Sequence, residues 1–446
     1  MRSRILCAGL AATLLIGACT GGGGQTGVSS SHGSREIPQP VVPHVAVAPE
    51  SQRVDLRVPT FPHPTEVTNP LFPVSKQASV LFLGHVDGKP FRTEVTLLPD
   101  TRIVQWEGQR IETLVSQYMA YLGGRIQEVA YDLYAQADDG SVWYFGEDVA
   151  DFVDGAIVTK EGTWIVGKDG PGAMIMPGDP KVGNAYRTEN NPGIAFEQVT
   201  VTSVDRTFEG PLGPIQGGMV GQELHMDGKT ENKLFAPGYG EFYTSGGGDV
   251  EALALAVPTD AASGPLPAEL VTLERGGTSI FDAARSGDWP AASSTLGQMK
   301  AAWDAYGAGE VPRLIQPVMM HALRALDRAV RARDTTRARQ AAIDLTQSTL
   351  DLELRYRPAS EVNLARFDLW VAQVLVDAAA RDDAAVRGDV FTLGYIRDRI
   401  VHALDPAHIT ALNIQLGRLQ LAAVDGALAR ASRAATRLRA VTAGLV

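Results

Sequence analysis

At about residue 261 the hydrophobic period of this chain changes, and no other feature limits its fold as strongly. Over residues 77–257, short runs of β-branched and aromatic residues recur between Gly, Pro, Asp and Asn, the spacing of consecutive strands. Val129, Tyr131 and Leu133 alternate with Glu128, Ala130 and Asp132, which predicts one face on a core and one largely in water. Gly123-Gly124 separates the runs 111–122 and 125–136 and suits the positive φ values of a tight hairpin turn. No helical stretch interrupts the strands, so they are expected to be antiparallel.

Beyond the change the period is helical, with segments at 290–306, 314–333, 335–356, 361–381, 384–404 and 409–439, the last broken near Gly426. Leu364, Phe367, Val371, Val374 and Ala378 make one apolar stripe, so that segment buries one side. Asp288, Asp334, Asp382 and Asp425 recur at similar intervals, each ahead of an Ala-rich helix, which fits a bundle or an array of helical hairpins. The expected fold class is α+β in two domains. An antiparallel β-sheet (half-barrel or sandwich) at 69–260 and a linker at 261–280 precede an all-α helical bundle at 281–446.

Residues 1–18 read as an export signal: Arg2 and Arg4, an apolar run over 5–16, then Gly17-Ala18. That run is too short to cross a bilayer core of roughly 30 Å as a helix. Ile16-Gly17-Ala18-Cys19 resembles the lipobox of bacterial lipoproteins. The resemblance implies that lipid is joined to the Cys19 sulfur, that the signal is cut before it, and that two or more acyl chains hold the protein stably to a membrane. Cys7 would leave with the signal, so neither a disulfide nor a thiolate metal site is expected. Residues 19–68, first Gly/Ser-rich and then Pro-rich, read as a linker reaching about 40 Å from the membrane.

The net charge of −11 is uneven, with 22 Lys+Arg against 20 Asp+Glu from Pro265 onward and the whole acidic excess upstream. An acidic front half argues against nucleic acid as a partner. Asn69-Pro70-Leu71-Phe72-Pro73, Val142-Trp143-Tyr144-Phe145-Gly146-Glu147-Asp148, Glu161-Gly162-Thr163-Trp164, Met176-Pro177-Gly178-Asp179-Pro180 and Ala236-Pro237-Gly238-Tyr239-Gly240 resemble a family of exported bacterial proteins with no assigned activity. That resemblance implies no catalytic residues. The closing Ala-Pro-Gly-x-Gly also resembles half-barrel proteins of the lipoprotein-carrier type, which bears on fold alone.

Glu147, Asp148, Asp151 and Asp154-Gly155 would offer oxygen to calcium, but the spacing of a calcium loop is missing and hairpin turns use Asp and Gly anyway. Met319, Met320 and His321 are a soft-ligand cluster that copper would suit, although helical spacing puts Met319 on the core stripe. Tyr131, Trp143 and Phe145 are candidates for lining a ligand-binding sheet face, against plain core packing. Arg397 falls in an apolar stripe, and Asp377 is the expected acid of a structural ion pair with it. Arg430, Arg433 and Arg437 share one helix face that would meet acidic lipid headgroups, a partner or only water. GxSxG, HExxH and GxxxxGK[ST] are all missing. The expectation is a lipid-anchored extracytoplasmic binding or scaffolding protein without catalytic activity or cofactor, its partner an unknown protein or apolar ligand. A carrier of a lipid or other apolar ligand in the β domain is the alternative, and a metal-handling bundle the third reading.

Overall fold

The computed structural model of the protein describes residues 47–445. The expected export signal, Cys19 and the Gly/Ser-rich segment lie outside the described residues. Strands β1 (Ser79–Val86), β2 (Lys89–Trp106), β3 (Gln109–Leu122), β4 (Arg125–Gln136) and β5 (Val142–Val153) form an antiparallel meander. Asp87-Gly88, Glu107-Gly108 and Gly123-Gly124 join the first four with both residues at positive φ, the turn whose twist matches that of the strands. β6 (Ala156–Thr159), β7 (Trp164–Ile165) and β8 (Ala173–Met176) all pair with β5. A second meander follows through β9 (Ala185–Asn191), β10 (Ala195–Glu209), β11 (Pro214–His225), β12 (Thr230–Ala236), β13 (Gly240–Gly246) and β14 (Asp249–Val257).

β14 pairs with β1, so both meanders belong to one sheet of 14 strands, ordered β6-β5-β4-β3-β2-β1-β14-β13-β12-β11-β10-β9 along its main path. β8 bonds to β5 and packs beside β9, drawing the two ends together. The outcome is one curled sheet and not a two-sheet sandwich. Val142, Phe145, Tyr186, Val199 and Phe235 from both halves meet in its interior.

Among the described residues eight α-helices follow: α1 (Ala268–Ser286), α2 (Trp289–Gly307), α3 (Ile315–Ala332), α4 (Thr335–Glu353), α5 (Ala359–Ala380), α6 (Asp383–Ile400), α7 (Pro406–Val424) and α8 (Leu428–Thr442). Asp288, Asp334, Asp382 and Asp405 cap α2, α4, α6 and α7, each accepting a backbone N–H three residues on, a contact worth about 1 kcal/mol. Asp425 starts no helix; it ends α7, and Gly426 at φ 62° makes the expected break. Helices α1 to α4 share one core with Leu81, Leu255 and Val257 of the sheet, whereas α5 to α8 build a second around Phe367, Leu393 and Leu416.

Two expected boundaries are corrected. Residues 261–280 are not a linker, because α1 begins at Ala268 and buries Leu270 and Leu273 fully. Its Gly276-Gly277 pair, which reads as a breaker, permits close packing: a Cβ would lie 2.5 Å from Met299 Cγ and 2.0 Å from Thr346 Oγ1. Residues 47–68 are not a free stalk either. Phe61 packs edge-on against Phe145 with ring centroids 5.3 Å apart, and Val67 is buried. Thr60 and Pro64 carbonyls accept the N–H groups of Asp138 and Gln136. The prolines keep this strap extended, and extended chain can lie along a strand edge.

Candidate functional site: a cleft between sheet and helices

On β2 and β3 alternate residues point to opposite faces of the sheet, and Arg92, Glu94, Gln117 and Tyr121 face the helices. Arg92 donates to both Glu94 and Asp351 of α4 at 2.7 Å. Arg399 of α6 reaches Glu94 at 2.6 Å and Gln117, while Arg366 of α5 reaches Asp351 at 2.7 Å. Burial alone would push the Glu94 carboxyl up, but the guanidinia of Arg366, Arg92 and Arg399 hold it well below the usual carboxylate range. Three arginines and two acids from four elements thus tie the helices to the sheet. Buried charges are retained only when so paired.

Beside this network the layers part and leave a cleft of about 710 Å³, within the range of small-molecule sites. One wall is sheet, with Leu83, Arg92, Tyr121 and the Gly123-Gly124 turn; the other is Val318 of α3, Ile343 and Gln347 of α4, and Leu369, Trp370 and Gln373 of α5. Trp370 stacks on Tyr121 with centroids 5.4 Å apart and planes 20° off parallel. Gln340 and Gln373 exchange amide hydrogen bonds at 3.0 and 2.9 Å, and Gln373 donates onward to Asp377 at 3.0 Å. Arg125 at the mouth clamps Asp377 with 2.5 and 3.1 Å bonds. The polar groups of the wall are held in place before any ligand arrives, so little ordering cost attends binding.

The other face of the sheet encloses a filled, acidic interior. Asp132, Glu147, Glu189, Glu197, Glu223 and Glu231 are all buried there, with His225 and Lys233. His225 bonds Glu197 at 3.0 Å and Glu231 at 2.8 Å, and Lys233 meets Glu223 at 2.8 Å. Burial opposes the charge of His225, but its carboxylate neighbours raise it to about 11. Burial pushes Glu223 up to about 8 and Asp132 up to about 7. Burial, then the Asp132 charge across the strand pair, raises Glu147 well above its ordinary range; burial and Glu197 do the same to Glu189, which Glu147 meets. Burial and mutual proximity thus bias the Glu147–Glu189 pair toward holding a proton. The voids here measure about 70 and about 10 Å³, and the smaller has room for about one water.

Among the described residues, Glu197, Glu223 and His225 are the group whose ligand atoms converge, all within 4.8 Å. Both ring nitrogens of His225 already face carboxylates, and the Lys233 ammonium lies against Glu223. Two built-in cations hold the positions a metal would need, so the group works as an ion-pair network.

The residues singled out from sequence are scattered. Trp143 and Phe145 are core residues packed on Trp106 and Phe61. Tyr131 faces the other way, donating to Asp398 of α6 at 2.7 Å, so the three line no common surface. Met319 is fully buried while Met320 and His321 are exposed, and they converge on nothing. Glu147 points inward, whereas Asp148 is at the surface with Lys160. The expected pair is also corrected: Asp377 binds Arg125, and Arg397 binds Asp398 at 3.0 Å and Asn413. Arg397 is part-exposed and reaches Asp398 on its own helix and Asn413 on α7 instead of crossing to α5. Sequence reasoning pointed to Tyr121 as one of several aromatics on the sheet but missed Trp370 and Gln373, since the three come from distant segments. The one available signal was polar side chains, Gln373 and Asp377, set among the apolar residues 371–378 of α5. No family model matches the chain, and no curated protein is detectably similar to it.

Proposed function

We propose that the protein is a lipid-anchored, extracytoplasmic binding protein that holds a small amphiphilic ligand in the cleft between sheet and helices, without catalysing its conversion. The cleft of about 710 Å³ carries this reading: it joins an apolar wall of Leu83, Ile343, Leu369 and Trp370 to amides and guanidinia whose orientation is fixed. Asp344, which burial also displaces upward, lines the cleft beside Gln340; non-catalytic binding is supported by where the strongly displaced acids of the sheet lie. Glu147, Glu189 and Glu223 sit inside the filled sheet, out of reach of anything larger than water. The extracytoplasmic placement rests on the lipobox-like Ile16-Gly17-Ala18-Cys19.

The alternative, a carrier of a lipid or other apolar molecule, is favoured by that same apolar wall. Native mass spectrometry on protein purified from its own envelope tests both readings. A bound species lost in Val318→Trp, which fills the cleft from an exposed position, supports the proposal. A solvent-extractable apolar molecule would favour the carrier, and a bound species unaffected by Val318→Trp would place the ligand elsewhere.

A further inference from the structure

The α7–α8 hairpin is a basic segment of an acidic chain. Residues 406–446 hold five arginines and one acid, Asp425, in a protein of net charge −11. Arg418, Arg430, Arg433 and Arg437 are exposed and line a shallow surface groove of about 340 Å³ between the two helices. Asp425 pairs with Arg430 at 2.9 Å; among the described residues no carboxylate pairs with Arg418, Arg433 or Arg437. Leu421 and Val424, beside these arginines, are 68 % and 78 % exposed, above every other large apolar side chain described. The opposite sides of both helices bury Leu416, Leu419 and Leu438 in the second helical core, and among the described residues no other element packs on this face.

Guanidinia around protruding aliphatic side chains match a surface that is anionic outside and apolar beneath. Basic groups gather at the headgroups, and the apolar side chains enter the acyl boundary. We infer that the α7–α8 hairpin is a docking face for anionic phospholipid, laying the helical layer on the membrane surface. An acidic protein would satisfy the arginines but gives no reason for two bare aliphatic side chains at the hairpin tip. The inference stands without the cleft reading. A lipid tether, where present, would hold the face near its target.

The test uses the full chain carrying Cys19→Ser, so that no acyl chain contributes, in sedimentation with vesicles. Binding to mixed phosphatidylglycerol–phosphatidylcholine vesicles should exceed binding to phosphatidylcholine alone by at least about tenfold. It should weaken with added salt. The triple variant Arg430→Gln, Arg433→Gln, Arg437→Gln should lose that preference while keeping its helical circular dichroism, because all three side chains are exposed. Leu421→Ser with Val424→Ser should reduce binding severalfold yet leave the salt dependence. Equal binding to both vesicle types, or an unaffected triple variant, would overturn the inference. If the Ser variants bound like the parent, the face would hold phosphate without entering lipid, and docking would equally be excluded.

Discussion

The two faces of one sheet solve the problem of buried charge in opposite ways. Toward the helices, Glu94 and Asp351 are matched by Arg92, Arg366 and Arg399, and guanidinium keeps its charge at any pH a protein survives. Toward the interior, seven carboxyls, Glu251 among them, share two cations, and protons make up the shortfall. The helix-facing side is therefore electrostatically fixed, and there the layers separate into a cleft. The inward side is filled and depends on pH. A charged, open surface and a charged, closed one thus lie a strand's thickness apart, and only the first has room for a ligand.

Glu94→Gln attacks the fixed side and should have the largest effect. It leaves Arg92, Arg366 and Arg399 without their shared carboxylate and should cost about 3–5 kcal/mol, measured by denaturant unfolding. A loss below about 1 kcal/mol would mean that the network does not tie the layers together. Phe61→Ala comes next at about 2–3 kcal/mol, and limited proteolysis should then cut within 47–68 ahead of the sheet. Uniform resistance would show that the strap is not held by that ring.

Glu189→Gln addresses the closed side, with the opposite sign. A carboxyl whose pKa is raised on folding binds protons that the unfolded chain releases above about pH 4.5. Its stabilisation is complete below that pH and is lost as pH rises through the folded value. With Asp132 raised to about 7 and Glu223 and Glu251 to about 8, stability should fall between about pH 5 and 8. Glu189→Gln, permanently neutral, should recover about 1–2 kcal/mol at pH 8 and almost nothing at pH 5. Equal effects at both pH values would remove proton sharing with Glu147. Glu94 runs the other way: its pKa is lowered, so its contribution is present above about pH 4.5 and is lost only as pH falls below that.

Arg397→Ala should be the smallest change, within about 0.5–1 kcal/mol, because its partners Asp398 and Asn413 are part-exposed. A multi-kcal/mol loss would restore the buried role that its place in an apolar stripe suggests.

Much of the fold was legible, because it is written in local periods. The two-residue alternation of 125–136, the Gly123-Gly124 turn and the caps Asp288, Asp334 and Asp382 all depend on neighbours in sequence. The α1 helix was illegible because Gly276 and Gly277 look like breakers until Met299 and Thr346 are seen against them. Asp132 read as facing water, since alternation shows two faces but not that both are covered, one by helices and one by the curl of the sheet. Arg125 and Asp377 are 252 residues apart, and no spacing rule joins them. The cleft was hidden for the same reason, having been assembled from β1, β2, β3, α3, α4 and α5.

The most direct test is native mass spectrometry of the protein purified from its native host, with Val318→Trp as its pair. The account predicts a discrete small-molecule adduct on the parent protein and none on the variant. A parent protein without bound mass, or an adduct equally present on Val318→Trp, would contradict it.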